Sequence, residues 1–348
     1  MEVNVPSLVR IKPRAINKLG KYLRTEGFTT AAIFWGEGID SLFGLQVKVS
    51  LDSSGIAAAM QKTVAENDIE KIFDESLELP SGIDVIVAIG GGKVIDYCKY
   101  LAFIKKIPFY SVPTIISNDA FASSTASLNS KGKRRSFSAR MPYGVIVDTA
   151  ILMSAPPHFL YSGMGDLFCK ITSIYDWKLS YKKQGNYVND FAASITYNAI
   201  DAFYFYTPKS IEDAECVRVI ATSLMMTGIA MEIAGSSRPA SGSEHLISHA
   251  YDRVAEKPSL HGIQVGVASY CCAYLQGRTF DRVNHIIRES GFHDYVTKHP
   301  LNKQDFIDAV QLAPSIKENF YTILSERDNI EKLIDFIERD ELLGTMLV

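Results

Sequence analysis

Three of the seven histidines in this 348-residue chain, His245, His249 and His261, fall within seventeen positions. They follow a glycine- and serine-rich stretch, and residues 235–252 read GSSRPASGSEHLISHAYD. His245 and His249 are four apart, so on a helix they share one face. Imidazole nitrogens suit Zn²⁺, Fe²⁺ or Ni²⁺. No glutamate stands between the two histidines of EHLISH, so the metalloprotease pattern HExxH is absent. Paired histidines are more often incidental than metal ligands, and spacing alone does not bring His261 to His245. A carboxylate completing three protein ligands leaves one position open for substrate. Asp166, in SGMGDLFCK, has the most suggestive setting for that carboxylate. Glu244, beside His245, reads as a solvated residue at a helix start.

A second chemical feature is AIGGGKVIDYCKY, which places three glycines between an apolar run and a helical pattern. Glycine permits a sharp turn and close backbone approach, and a helix N-terminus offers unpaired N–H groups to an anion such as pyrophosphate. Neither GxGxxG nor a P-loop is matched, and a tight turn without a ligand is the plain alternative. The loop SVPTIISNDAFASSTASL is rich in hydroxyl groups and carries Asp119. It follows a strand-like run, where open α/β sheets bind ligands; read by itself, it is more readily a polar surface loop.

These residues need elements to hold them. Short, branched apolar runs at 29–35, 84–90, 107–112 and 143–150 predict strands buried on both faces of a parallel sheet. Helical spacing at 12–24 and 93–105 alternates with them, which predicts a doubly wound α/β domain. Beyond Pro156-Pro157 the patterns are long and helical, for example 187–206, 212–234 and 259–276, with hardly any strand-like run. The predicted division is an α/β domain over 1–155 and an all-helical domain over 156–348.

Hydrophobic residues make up 47% and charged residues 22%, the balance of a soluble globular protein. A net charge of −3 with interleaved signs gives no electrostatic reason to expect nucleic acid or an anionic membrane. No membrane span and no signal peptide are expected, since the sequence shows neither an apolar run of roughly 18 residues nor a signal-peptide core. Five cysteines without CxxC spacing read as reduced thiols of a cytoplasmic protein.

Taken together, GGGKVID, PTIISNDAFAS, GMGDLFCKITSIYDWKLS, SRPASGSEHLISH and LHGIQVGV resemble the sn-glycerol-1-phosphate dehydrogenases. That family lies within the wider superfamily of iron-containing alcohol dehydrogenases, glycerol dehydrogenases and dehydroquinate synthases. The segments occur in the family order across residues 84–270, and SRPASGSEHxISH is the most specific. The resemblance implies an N-terminal α/β cofactor domain, a helical C-terminal domain and catalysis in a cleft between them. It implies NAD or NADP, one divalent metal (zinc by default, nickel or iron open), and a homodimer or higher homo-oligomer. The implied reaction is reduction of dihydroxyacetone phosphate to sn-glycerol 1-phosphate, a step of phospholipid metabolism.

By matching position, Asp166, His245 and His261 are implied metal ligands. His249 is an implied substrate residue and proton relay, and Asp119 an implied substrate contact. Gly91, Gly92, Lys93, Val94, Ile95 and Asp96, with Thr114, Ser117 and Ser123, are implied to hold the cofactor. Arg238 and Lys170 are candidate partners for a phosphate. Glu37, after the first apolar run, is placed to recognise an adenosine ribose, since a carboxylate repels a 2′-phosphate. The loop Ser117-Asn118-Asp119-Ala120-Phe121 departs from the family form SHDGIAS towards the glycerol dehydrogenases. Glycerol or another small polyol is therefore the alternative substrate, and a dehydroquinate synthase-like cyclisation a more distant one.

Overall fold

The structure is a computed structural model that describes residues 3–207 and 209–348. It divides into two compact units, residues 1–156 and 157–348.

The first unit is built on a six-stranded, all-parallel sheet. Its strands are β1 (Leu8–Lys12), β2 (Thr30–Gly36), β3 (Ala57–Val64), β4 (Val85–Gly90), β5 (Phe109–Pro113) and β8 (Gly144–Asp148), in the order β1-β8-β5-β4-β2-β3. Between β5 and β8 a separate antiparallel hairpin, β6 (Thr125–Ser130) and β7 (Lys133–Ser138), projects polar side chains. The helices are α1 (Leu19–Thr25), α2 (Ile39–Asp52), α3 (Ile69–Glu78), α4 (Gly92–Lys105) and α5 (Thr149–Ser154).

β4, β5 and β8 are buried at every residue, as strands covered on both faces must be. The edge strand β3, AAAMQKTV, buries little. The helical pattern expected over 12–24 is corrected: Lys12 ends β1, a single 3-10 turn spans Ile16–Lys18, and α1 starts only at Leu19. Pro13 explains the break, since it cannot supply a backbone N–H.

Register fixes where a ligand could meet this sheet. Trp35 of β2 lies opposite Ile89 of β4, and Gly90 opposite Pro113 of β5. The turns after Gly36, Gly90 and Pro113 therefore share the carboxyl edge of the sheet. The amide of Thr114 donates to the Gly90 carbonyl at 3.0 Å, tying two of these turns together.

The second unit is helical, with α6 (Pro157–Phe168), α7 (Lys170–Gln184), α8 (Asp190–Tyr204), α9 (Ala214–Ala234), α10 (Ser243–Val254) and α11 (His261–Gln276) preceding five further helices among the described residues. Among its described residues the strand-like pairing is one isolated bridge, Leu301 with Leu347. By length and composition alone, α9 could cross a membrane. Its most apolar window is 61% buried, and Ala230 packs with Ile174, Trp177, Ala192 and Ala193 in a local core. That is the environment of an interior helix, which is apolar all round for the same reason a span is. All five cysteines are buried thiols without disulfides.

Candidate metal centre and nucleotide turn

Three helices of the second unit carry the ligand-type residues. Asp166 lies near the end of α6, His245 and His249 on the first two turns of α10, and His261 opens α11. Glycine lets α6 and α11 meet. A Cβ on Gly165 would sit 2.1 Å from the Gly262 carbonyl oxygen, and one on Gly262 would sit 1.8 Å from that of Ser162. No side chain fits either place, so the two backbones touch and Asp166 is delivered beside His261.

Donor atoms of Asp166, His245 and His261 all lie within 4.8 Å of one another. His245 Nε2 is 3.7 Å from Asp166 Oδ1, and the rings of His245 and His261 are 5.0 Å apart. Both Nδ1 atoms are engaged elsewhere. His245 Nδ1 meets Glu244 Oε1 at 3.0 Å, and His261 Nδ1 meets Ser248 Oγ at 3.0 Å. Hydrogen bonding at one ring nitrogen sets which nitrogen faces a metal, and in both rings here it is Nδ1 that meets a side-chain oxygen. One carboxylate and two imidazoles in this arrangement fit a divalent ion such as zinc, with coordination positions left over.

His249, one turn beyond His245, is exposed and lies outside this donor group. Its ring is 5.8 Å from that of His261 and 6.3 Å from that of His245. A second donor group, Cys169, Glu244 and His245, shares His245 with the first.

The ground beneath α10 is a buried acid pair. Glu244 is fully buried, not solvated as its sequence setting suggested. Its Oε1 accepts from the Gly242 amide at 2.6 Å, and its Oε2 from the Thr172 hydroxyl at 2.9 Å. Asp176 accepts from the amides of Ser243 at 2.7 Å and Ile323 at 2.8 Å. Burial pushes the Glu244 carboxyl up to about 7. Burial, with Glu244's charge second, does the same to Asp176. The short sequence Gly242-Ser243-Glu244 is thus a fastening for the helix that carries two histidines.

Of the two candidate phosphate partners, Lys170 is fully buried and donates to Asp166 Oδ1 at 2.8 Å, so its ammonium compensates the buried carboxylate. Arg238 stacks 3.5 Å from the centre of the Phe320 ring and donates to the Tyr321 carbonyl at 2.7 Å.

In the first unit, Gly90 has φ +151°, and a Cβ there would lie 2.7 Å from Val94 and 3.0 Å from the Gly36 amide nitrogen. A Cβ on Gly92 would meet nothing within 4 Å. The strained glycine shapes the turn, while the next but one faces open space at the N-terminus of α4. Ile95 N–H already donates to the Gly91 carbonyl at 3.2 Å. The amides of Gly92, Lys93 and Val94 are the first-turn donors that a pyrophosphate would use. The side chains of Val94 and Ile95 are buried, so only their backbone could serve a ligand. Lys93 Nζ donates to Glu37 at 3.0 Å and to the Ala65 carbonyl at 2.7 Å, which brings Glu37 to the same turn.

Asp96 is buried one turn further along and is occupied within the protein. It accepts from Lys99 Nζ at 2.9 Å and from the Ser127 amide at 3.2 Å. Lys99, which sequence reasoning passed over, also donates to the carbonyls of Ala120 and Thr125, both at 2.7 Å. This buried lysine ties α4 to the loop bearing Asp119 and Ser123. Asp119 begins a 3-10 turn, Asp119–Ala122, capped by Asn118, whose Oδ1 accepts from the Ala120 amide at 3.0 Å. Phe121 and Ala122 are buried, and so are Thr114 and Ser123, whereas Ser117 and Asp119 are partly exposed. The loop thus sits at the sheet's carboxyl edge, partly buried and tied to α4 through Lys99.

Residues 10–156 match the family model described as iron-containing alcohol dehydrogenase. The chain is 35% identical to the glycerol-1-phosphate dehydrogenase [NAD(P)+] of Pyrococcus furiosus, over 86% of each chain. It is 35% identical to the protein of the same name from Thermococcus kodakarensis, over 90% of this chain and 87% of the relative. The glycerol dehydrogenase of Schizosaccharomyces pombe shares the fold, with a TM-score of 0.77 at 16% identity over 97% of this chain and 91% of that one. The protein thus belongs to the glycerol-1-phosphate dehydrogenase family, within the iron-containing alcohol dehydrogenases.

Proposed function

We propose that this enzyme reduces dihydroxyacetone phosphate to sn-glycerol 1-phosphate with NADH or NADPH. The observation that carries the chemistry is the convergence of Asp166, His245 and His261 with both Nδ1 atoms already engaged. Relatives named for that product, at 35% identity over most of their length, support the choice of substrate.

NAD(P)H supplies the hydride, and a divalent metal, zinc by preference, supplies Lewis acidity at the ketone oxygen. Asp166, His245 and His261 hold the metal, and Lys170 keeps the buried Asp166 compensated. His249, on the exposed side of α10, delivers a proton from its imidazole towards the product oxygen, directly or through water. Asp119 orients the substrate from its capped turn. The first-turn amides of α4, from Gly92 to Val94, bind the pyrophosphate, and Thr114, Ser117 and Ser123 offer hydroxyls to the rest of the cofactor. On this reading residues 1–155 form the cofactor domain and 156–348 the metal and substrate domain. The working form is a homodimer or higher homo-oligomer. Five reduced thiols support a cytoplasmic location.

The test is NAD(P)H oxidation by purified, zinc-loaded enzyme given dihydroxyacetone phosphate or dihydroxyacetone at matched concentrations, with the stereochemistry of the product determined. The proposal expects a strong preference for the phosphorylated ketone and the sn-1 phosphate as product. Equal or better use of dihydroxyacetone would move the enzyme to the glycerol dehydrogenase alternative.

A further inference from the structure

The two histidines of the metal group are held by different devices. His245 rests on a carboxylate, Glu244, its chain neighbour. His261 rests on a hydroxyl, Ser248, and a hydroxyl does not by itself fix a tautomer, because it can either donate or accept. What lies behind Ser248 removes that freedom. Ser248 Oγ is 2.7 Å from Gln264 Oε1. The Gln264 amide nitrogen in turn donates to Asp252 Oδ1 at 2.9 Å and to the Ser259 carbonyl at 2.7 Å. Ser248 and Gln264 are fully buried.

The direction of every bond in this chain follows from its far end. The Asp252 carboxylate and the Ser259 carbonyl can only accept, so the –NH₂ of Gln264 must face them. Its oxygen must then face Ser248. That oxygen also can only accept, so the single hydroxyl proton of Ser248 is committed to it. Turning the proton towards His261 would set two lone pairs against each other across 2.7 Å in a buried site, an unmade bond of the costly kind. Ser248 therefore presents a lone pair to His261, whose Nδ1 must carry the ring proton.

We infer that Asp252, Gln264 and Ser248 form a one-way hydrogen-bond relay that locks His261 in its Nδ1–H tautomer, reserving Nε2 for the metal. All three are positioning residues; none is a ligand. The inference rests on the metal group proposed above and adds to it the reason that His261 is pre-set to bind. The relay reaches the metal from α10, the segment after it and α11 together, so it also holds the start of α11 in register with α10.

The experiment uses the full chain and Zn²⁺ as probe. In the metal-free protein, ¹⁵N-detected histidine spectra should show His261 protonated at Nδ1 and bare at Nε2. Ser248→Ala removes the acceptor. Gln264→Met, close in size, frees the Ser248 proton to turn towards His261. Both variants should show a rising Nε2–H population at His261, and their zinc affinity, measured by chelator competition, should fall on the order of 10–100-fold. Ser248→Thr keeps the hydroxyl and should recover most of the affinity if the added methyl is accommodated. A structural role alone would lower thermal stability in Gln264→Met while leaving the tautomer and the affinity unchanged, and that result overturns the proposal. So does a wild-type His261 that carries its proton on Nε2, a reading that needs no variant to fold. If wild-type protein binds no zinc, the metal assignment fails on its own count, while the tautomer spectra still decide whether the relay exists.

Discussion

The glycine turn of the first unit and the Asp166, His245 and His261 cluster of the second are assembled from different parts of the polypeptide. At the turn, the groups proposed to bind the cofactor are the backbone amides of Gly92, Lys93 and Val94, and side chains matter chiefly by being absent. Gly90 carries the strain, and Gly92 leaves the space open. In the helical unit the groups proposed to hold the metal are side chains, and the backbone's part is to let α6 and α11 touch through Gly165 and Gly262. A site made of backbone tolerates many side chains but is blocked by an added Cβ. A site made of side chains is emptied by truncation. Substitution should therefore injure the two regions in opposite ways.

The largest effect belongs to the metal group. His245→Ala, Asp166→Ala or His261→Ala should each remove bound metal and lower ketone reduction on the order of 10³-fold or more, the scale of several kcal/mol of lost Lewis-acid stabilisation. Metal content by elemental analysis, beside turnover, checks this. His249→Ala sharpens the contrast within one helix. Turnover should fall on the order of 10²-fold, the lower range for a lost proton donor, while the metal stays bound. Equal metal loss in His245→Ala and His249→Ala would end the division of labour between residues one turn apart.

At the turn, Gly90→Ala and Gly92→Val should separate stability from binding. The first places a Cβ against Val94 and the Gly36 amide at a positive φ, and should cost about 1–3 kcal/mol of folding stability. The second has room in the empty turn and should fold normally, yet bind NAD(P)H at least about tenfold more weakly, roughly 1.4 kcal/mol. Thermal melts and cofactor fluorescence titrations read the two separately. The smallest change expected is at Glu37, whose ion pair with Lys93 is half-exposed. Glu37→Ala should leave the melting temperature unchanged, since exposed pairs contribute about 0–1 kcal/mol. It should also shift the ratio of NADPH to NADH affinity towards NADPH by roughly two- to fivefold, the scale of one exposed charge. An unaltered ratio would remove Glu37 from the cofactor site.

The same difference governs what the sequence revealed. The strands β2, β4, β5 and β8 were legible because burial on both faces leaves continuous apolar runs. β3 was not, because AAAMQKTV lies on an edge and carries no burial signal. The hairpin β6–β7 escaped notice because polar residues dominate it and only Ala126 and Leu128 are buried. In the site, the spacing of His245 and His249 exposed their shared face, the setting of Asp166 and the glycine beside His261 marked both as candidates, and the resemblance implied that they join His245 as ligands. Glu244 looked solvated because charge is the only property a sequence shows, and its burial depends on Thr172 and Gly242 packing around it. Lys99 and the link from Ser248 to Gln264 were invisible, since each joins residues from separate elements. Hydrogen-bond direction has no sequence signature.

The central claim is that one metal ion is held by Asp166, His245 and His261. Anomalous X-ray diffraction at the zinc edge, on crystals of the zinc-loaded enzyme, tests it most directly. The account predicts one peak about 2.0–2.2 Å from a carboxylate oxygen of Asp166 and from Nε2 of both His245 and His261, with His249 uncoordinated. A peak seated on Cys169, Glu244 and His245, or one that takes His249 as a ligand in place of His261, would contradict it.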